Sequence, residues 1–288
     1  MSKQGDMRET LQEFGKCVRA LGAYRQQTVL TGGLVPYMYR YLPGVKDSAT
    51  LPPLQTFDLD WTLPNPLERK GELLHDRLIN FDFVPVLERT QPHLGRYQPA
   101  RYDKTLGPIH IEFLTPRKGS SEVHGRKMTV PTVQQELNAQ ALPYLGLLLY
   151  SPLTFDASVV PHSGLDKKTS VLLPGPMAFV LQKTLARKNR PTNKKSSDQA
   201  HIYDAVALWH NQWSALSAEL QALEGATFPK IWFKRVRNEL VRLYSSPHAD
   251  GPVEVASAYR DSATTPRLHE KTVHRAMQRF LRAIRWQI

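Results

Sequence analysis

The sequence predicts an α+β protein, with a small mixed sheet and flanking helices in its first part and a mainly helical second part. Short apolar runs bounded by glycine and proline, which are typical of strands, recur between residues 28 and 115. After Pro176, the apolar residues follow a helical spacing instead. The basic Gly/Ser segment 116–127 is the predicted boundary. We therefore expect one domain over residues 1–126 and a basic helical domain over residues 127–288.

Hydrophobic spacing predicts the elements of both parts in turn. They are a helix over 7–23, a strand and a helix over 28–42, a strand at 56–61, a helix over 68–83, strands near 96–102 and 108–115, a helix over 132–150 and a hairpin over 155–173. Cys17 falls on the apolar stripe of the first helix, which predicts a packing role for this single cysteine. The other members of the stripe are Leu11, Phe14, Val18 and Leu21.

Two acids in the strand at 56–61 are the first candidate functional residues. Because side chains alternate along a strand, Asp58 and Asp60 point to the same face, and Leu59 and Trp61 point to the other. Parallel carboxylates repel each other unless a cation lies between them. The pair therefore predicts a divalent metal site, and the alternative is a solvated pair at a strand edge.

A third acid, Glu112, lies on the strand predicted near 108–115 and alternates with apolar Ile111 and Phe113. If this strand neighbours the first, three carboxylates meet, which is the ligand set of a two-metal centre. One alternative is a surface glutamate paired with a nearby arginine or lysine. Another is a zinc site that includes His110, which shares the strand face of Glu112.

A glycine turn follows the first strand, where Gly32 and Gly33 precede a helix. Backbone N–H groups at a helix start bind phosphate readily. The alternative is a turn that needs glycine only for a positive φ. The turn and the acids together predict metal-assisted chemistry on a nucleoside triphosphate.

These elements resemble those of the nucleotidyltransferase superfamily, which has the polymerase-β-like fold. The resemblance rests on Gly32-Gly33, on Asp58-Leu59-Asp60 and on the later strand with Glu112. Val171 to Pro176, followed by a helix with Lys183, is similar to bacterial nucleotidyltransferase-like proteins related to the toxins of abortive-infection systems. Gln182 stands where that group has a histidine. The resemblance covers roughly residues 25 to 210; its further positions are Arg187, Arg190, Lys195, Asp198 and Asp204.

The resemblance implies transfer of a nucleoside monophosphate from a nucleoside triphosphate to an acceptor. Asp58 and Asp60 would hold two Mg²⁺ ions, and Glu112 would complete the site. The turn at Gly32 and Gly33 would bind the β and γ phosphates. Lys183 would add a phosphate contact from the second domain.

The charge distribution predicts a polyanionic partner, most simply RNA. The net charge is +12, and basic residues are concentrated between 183 and 195, between 230 and 242, and in the last helix. Each basic face could also be solvated surface. The predicted acceptor-binding residues are Arg187, Arg190, Arg275, Arg279 and Arg282, with Arg285 on the same face and Trp286 as a stacking surface.

We therefore expect a metal-dependent nucleotidyltransferase that acts on RNA or transfer RNA. The alternatives are an inactive nucleotidyltransferase fold that binds RNA or protein, and a toxin-like enzyme that modifies transfer RNA or protein and has an antitoxin-like partner. The single cysteine excludes an internal disulfide and is typical of a reducing cytoplasm. The chain has no P-loop motif, no signal-peptide pattern and no apolar run of membrane-spanning length.

Overall fold

The computed structural model describes residues 7–45, 54, 56–86, 95–102, 109–117, 130–260 and 268–286. Two compact units contain them: Met1–Val35 with Gln55–Pro174, and Pro36–Leu54 with Gly175–Ile288. The boundary expected at residue 126 lies outside the described residues, as do positions 118–127 of the expected linker. The division differs from that expectation because strands as far as Leu173 hydrogen-bond into the first unit's sheet.

A mixed sheet forms the centre of the first unit. Its strands in the described residues are β1 (Val29–Thr31), β2 (Asp58–Thr62), β3 (Phe83–Pro85), β4 (Arg96–Pro99), β5 (His110–Pro116), β8 (Gln140–Leu142), β9 (Leu153–Asp156) and β10 (Ser170–Leu173). Their order is β3-β4-β5-β2-β1-β10-β9, and β8 pairs with the end of β5. The pairs β2–β5, β1–β10 and β5–β8 are parallel, and the remaining pairs are antiparallel. The predicted fold class is confirmed.

Helices α1 (Met7–Leu21) and α3 (Leu74–Asn80) pack together, and α1 covers the sheet face that carries Trp61. The Phe14 and Trp61 rings stack with centroids 6.3 Å apart. Nε of Arg77 on α3 donates to the Ala20 carbonyl of α1 at 2.7 Å. Cys17 is fully buried in this layer, and burial raises the pKa of its thiol. Cys17 therefore has the predicted packing role.

The helix predicted over residues 132–150 is wrong. This segment forms β6 (Thr132–Gln134), β7 (Leu137–Asn138), β8 and a 3₁₀ turn at Leu145–Leu147. Burial alternates with a period of two, since Leu137, Ala139 and Ala141 are buried and the residues between them are more exposed. Residues 140–142 pair with the end of β5, and Leu145 and Leu148 pack against Leu114. The leucine spacing imitates a helix, but long-range strand pairing determines the structure.

Two further predicted helices are shorter than expected. The helix predicted over 68–83 is limited to Leu74–Asn80, because Gly71 adopts a φ of +81° before it and Asp82 adopts a φ of +56° after it. The helix predicted within residues 28–42, after the glycine turn, is α2 (Val35–Tyr39). The hairpin predicted over 155–173 is confirmed as the antiparallel pair β9–β10.

The second unit is mainly helical, as predicted. Its further helices in the described residues are α4 (Pro176–Ala186), α5 (Thr192–Leu208), α6 (Trp213–Gly225), α7 (Lys230–Leu243), α8 (Asp250–Arg260) and α9 (Glu270–Ala283). The start of α4 is capped from α6, because the Glu219 carboxylate accepts the N–H groups of Met177 at 3.1 Å and Ala178 at 3.0 Å. A Cβ at Gly175 would overlap this carboxylate. The helices of the described ranges are all too short or too polar to cross a lipid bilayer.

Candidate functional site

Three acids lie on one face of the sheet. Asp58 and Asp60 share a face of β2, while Leu59 and Trp61 are buried on the opposite face. Strand β2 pairs in parallel with β5, with Asp60 opposite Glu112. Paired residues on adjacent strands project to the same side, about 4.8 Å apart along the hydrogen-bonding direction. The strands that carry the three acids are therefore neighbours, and their carboxylates face the same side.

The pairing continues into a row across four strands. Arg96 on β4 is opposite Glu112, Glu112 is opposite Asp60, and Asp60 is opposite Thr31 at the end of β1. Nη2 of Arg96 donates to Oε1 of Glu112. The sequence did not point to Arg96; the one available signal was its alternation with apolar Tyr97 in a predicted strand. Glu112 therefore pairs with an arginine, as the alternative of a surface ion pair predicted. It also lies opposite Asp60 in the same row.

The glycine turn lies directly against Asp60. Gly32 begins a 3₁₀ turn, Gly32–Leu34, that follows β1, and its φ is +76°. A Cβ at position 32 would overlap Oδ2 of Asp60, so both the backbone conformation and the close approach require glycine. Gly33 belongs to the same turn. A prospective phosphate-binding turn and a prospective metal ligand are therefore in contact.

The neighbour of Asp58 across the ladder is His110. Its Nδ1 is buried and has no hydrogen-bond partner among the described residues. The acid face therefore carries one imidazole as well as three carboxylates. Oxygen donors predominate in this set, and they suit a hard cation such as Mg²⁺ better than zinc.

A second group of possible metal ligands lies elsewhere in the first unit. Among the described residues, His75, Asp76 and Glu136 are the one set of three whose ligand atoms all lie within 4.8 Å of one another. Nδ1 of His75 is 2.9 Å from the Tyr97 hydroxyl, and Nε2 is 3.7 Å from Oε2 of Glu136. Tyr97 alternates with Arg96 on β4, so this group contacts the sheet face opposite the acids. Sequence reasoning missed it because Glu136 is distant in the chain from the adjacent residues His75 and Asp76, and the three follow no motif.

Lys183 forms a buried ion pair within the second unit. Its ammonium group is buried and donates to Oδ1 of Asp198 at 2.6 Å. Burial alone would raise the pKa of Asp198, but Lys183 and then Arg190, whose Nε lies 3.0 Å from Oδ2, hold it below its usual value. Burial, with a further contribution from Lys183, lowers the pKa of neighbouring His201 to about 3. The Lys183 charge is thus balanced by Asp198, and a phosphate contact would require that pair to separate.

Arg187 is also buried rather than part of a solvent-facing surface. Its guanidinium makes two hydrogen bonds to Glu254, each of 2.7 Å, and lies 3.5 Å from Glu239. Arg190 is half-exposed and paired with Asp198. The predicted acceptor-binding residues Arg187 and Arg190, like the predicted phosphate contact Lys183, therefore form intramolecular ion pairs. Helical spacing places these residues on one side, but α4 is buried almost all around.

The arginine face of α9 lies on the surface. Arg275, Arg279, Arg282 and Arg285 are exposed, while the buried side of the helix consists of Val273, Met277, Phe280 and Leu281. Trp286 does not extend this surface, because its side chain is only 6% exposed. The predicted separation of arginines from apolar residues is present, and the predicted exposed stacking surface is absent.

A family model described as nucleotidyltransferase matches residues 10–225. The chain belongs to this nucleotidyltransferase family. The matched range contains the glycine turn and the three acids, and it ends before α7, α8 and α9. Membership supports nucleotidyl transfer with a nucleoside triphosphate as substrate. No match to this nucleotidyltransferase was found among curated proteins.

Proposed function

We propose that this nucleotidyltransferase transfers a nucleoside monophosphate from a nucleoside triphosphate to an RNA acceptor and releases pyrophosphate. The observation that carries the proposal is the placement of Asp58, Asp60 and Glu112 on one sheet face, with the Gly32 turn against Asp60. The match to the nucleotidyltransferase family, which covers all of these residues, supports nucleotidyl transfer as the reaction at this site.

The acids fit a divalent metal by their donor chemistry. Asp58, Asp60 and Glu112 supply carboxylate oxygens. Asp60 is two residues from Asp58 on the same face of β2, and it is opposite Glu112 of β5. Two bound Mg²⁺ ions would neutralise the triphosphate and activate the attacking acceptor oxygen. Arg96 holds Glu112 through its guanidinium and so orients this carboxylate from the neighbouring strand.

The glycine turn supplies the phosphate site of the proposal. The backbone N–H groups of Gly32 and Gly33 would donate to the β and γ phosphates. Because Asp60 touches the same turn, the triphosphate would lie beside the carboxylates that bind the metal. Lys183 is not part of this proposed site, because its ammonium group is paired with the Asp198 carboxylate.

The acceptor is proposed to be RNA because α9 presents exposed arginines. Guanidinium groups bind phosphate bidentately and stay charged at all working pH values. Arg275, Arg279 and Arg282 lie on one side of α9 and could contact successive phosphates. Modification of a protein acceptor is the second outcome that a transfer experiment would detect.

The test is a transfer assay with the purified chain, Mg²⁺, each labelled nucleoside triphosphate and total RNA, beside a reaction without RNA. We expect label in RNA, and background levels with Asp58→Asn or Asp60→Asn, because each change removes a charge that holds the metal while keeping the side-chain shape. Asp166→Asn, at an exposed position of the same unit, is the matched control and should leave transfer unchanged. Wild-type Mg²⁺-dependent activity in either site variant would refute the metal-site assignment.

A further inference from the structure

Three side chains that commonly bind metal come together from two distant segments of the first unit. His75 and Asp76 lie in the first turn of α3, and Glu136 lies in the turn between β6 and β7. Their ligand atoms all lie within 4.8 Å of one another. The group contacts the sheet face opposite the three acids of the candidate active site, through Tyr97. It is therefore separate from that site.

Buried hydrogen bonds through Gln134 fix the two segments relative to each other. Oε1 of Gln134 accepts the backbone N–H of Leu74 at 2.8 Å, and its Nε2 donates to the Tyr24 hydroxyl at 3.2 Å. Gln134 ends β6, two residues before Glu136, and Leu74 directly precedes His75. The approach of Glu136 to His75 therefore follows from interior contacts of their neighbours, and it does not require the two side chains to attract each other.

Tyr97 orients the His75 ring. The Tyr97 hydroxyl is 2.9 Å from Nδ1 of His75, and Tyr97 is itself fully buried, so this side of the ring faces the protein interior. The other nitrogen, Nε2, faces Glu136. Histidines that bind metal through one ring nitrogen usually hydrogen-bond through the other, which fixes the ring. His75 has this arrangement, with Nε2 as the atom left for a ligand.

The separation of His75 and Glu136 suits two ligands of one ion better than a direct contact. Nε2 of His75 is 3.7 Å from Oε2 of Glu136. An ordinary hydrogen bond between such atoms would be roughly 2.7–3.2 Å long. Two ligand atoms of a tetrahedral Zn²⁺, each about 2.0–2.1 Å from the ion, lie about 3.4 Å apart. Only a small movement of the exposed Glu136 side chain separates the observed distance from that value.

No cationic side chain is paired with Asp76 or Glu136 in the part of the chain that the structure describes, apart from His75 if it is protonated. The Asp76 carboxylate forms no hydrogen bond or ion pair there, and the Glu136 carboxylate contacts only His75 in this way. Carboxylates this close repel each other unless a cation lies between them. A bound divalent ion would remove that repulsion.

The ligand types select the class of metal. Mg²⁺ and Ca²⁺ prefer sets made only of oxygens, whereas imidazole suits Zn²⁺ and its first-row neighbours. One imidazole and two carboxylates supply three of the four ligands of a tetrahedral site, and water can supply the fourth. We infer that His75, Asp76 and Glu136 bind one Zn²⁺, which joins α3 to the β6–β7 hairpin. The inference does not depend on the transfer reaction.

The test is a calorimetric titration of the metal-free full chain with Zn²⁺. The chain carries Asp58→Asn and Asp60→Asn, so that the proposed magnesium site does not take up zinc. We expect Asp76→Asn and Glu136→Gln each to weaken Zn²⁺ binding at least about tenfold, because a charged ligand becomes a neutral amide of the same shape. Asp166→Asn, the same change at an exposed position of the first unit, should alter affinity less than about twofold.

Competition with Mg²⁺ tests the part played by the imidazole. Excess Mg²⁺ should leave the zinc bound, because a nitrogen ligand favours zinc. Similar affinities for the two ions would show that His75 takes no part and would overturn the inference. Zinc binding that the Asp76 and Glu136 variants leave unchanged would assign the ion to other histidines. No measurable zinc binding would reduce the group to an ion pair of His75 with Glu136, and each of these results rejects the proposed site.

Thermal unfolding tests whether the ion joins the two segments. Zn²⁺ should raise the unfolding temperature of the parent chain, because it binds the folded arrangement, and should raise that of Glu136→Gln less. His75→Asn should behave in the same way. Glu136→Gln decides the result if His75→Asn does not fold, because Glu136 is exposed whereas His75 contacts buried Tyr97. An equal rise in parent and Glu136→Gln would place the stabilising zinc elsewhere and overturn the inference.

Discussion

Gly32 brings the turn that we propose binds phosphate against Asp60 of β2, which we propose binds metal. Its positive φ of +76° is a conformation that residues with a Cβ adopt at a cost, and its Cα lies against the Asp60 carboxylate. A substitution there would combine two separate effects: backbone strain and displacement of a prospective metal ligand. Gly71 offers a comparison, because its φ is +81° and an added Cβ would meet nothing within 4 Å.

We expect Gly71→Ala to cost about 1 kcal/mol of unfolding free energy, from backbone strain alone, and to leave transfer intact. Gly32→Ala should cost more and should reduce transfer to background, because Asp60 must move. Urea unfolding and the transfer assay measure the two effects separately. Equal stability losses and full activity in both variants would show that Asp60 has room to shift and that its placement is not critical.

At the scale of elements, α4 shows how a buried helix uses its polar residues. Its lysine reaches Asp198 of α5, and Arg187, directly after it, reaches Glu254 of α8. Glu219 of α6 caps its first turn. Each contact joins α4 to a different helix of the second unit. Lys183 and Arg187, which the sequence predicts to bind ligands at the surface, therefore hold the helices of this unit together.

Lys183→Ala should destabilise the protein by about 3 kcal/mol, because it leaves the Asp198 carboxylate buried with only Arg190 near it. The double variant Lys183→Met/Asp198→Leu should recover most of that loss, since no buried charge is left unpaired. Urea unfolding of the single and double variants gives the coupling energy. Normal stability of Lys183→Ala together with weaker nucleoside triphosphate affinity would instead support the phosphate contact that the family resemblance implies.

At the scale of the whole molecule, the net charge of +12 is divided between paired and exposed cations. Arg187 and Arg242 are balanced by nearby carboxylates, which reduces their effect on a partner. The arginines of α9 lie on the surface, and the lysines of α7 line a cavity. The charge available to a polyanion is therefore concentrated on a few elements and is smaller than the total suggests.

Replacing Arg275, Arg279 and Arg282 together by alanine should weaken RNA binding at low salt. It should also flatten the slope of log affinity against log salt by about 0.7 to 0.9 for each phosphate that the variant no longer neutralises. Arg242→Ala, which removes a cation already paired with two acids, is the control and should change the slope little. The measurement is a salt titration of RNA binding by fluorescence anisotropy. An unchanged slope in the triple variant would assign the α9 face to solvent or to a protein partner.

The sequence by itself determined the features that depend on local periodicity. Alternation along β2 places Asp58 and Asp60 on one face whatever lies beside them, and helical spacing separates the α9 arginines from its apolar side. The order of glycine turn, paired acids and third acid was sufficient to identify the superfamily. These features survive in the structure because they are properties of single elements.

Only the tertiary structure decided which face of an element meets solvent and what lies opposite it. Strand pairing brought Arg96 beside Glu112 and turned residues 132–142 from an apparent helix into strands. Packing around α4 buried Lys183 and Arg187, which the sequence placed in contact with ligands. The physical reason is that periodicity gives the direction of a side chain relative to its own element. Its partner is set by contacts between segments that are distant in the chain.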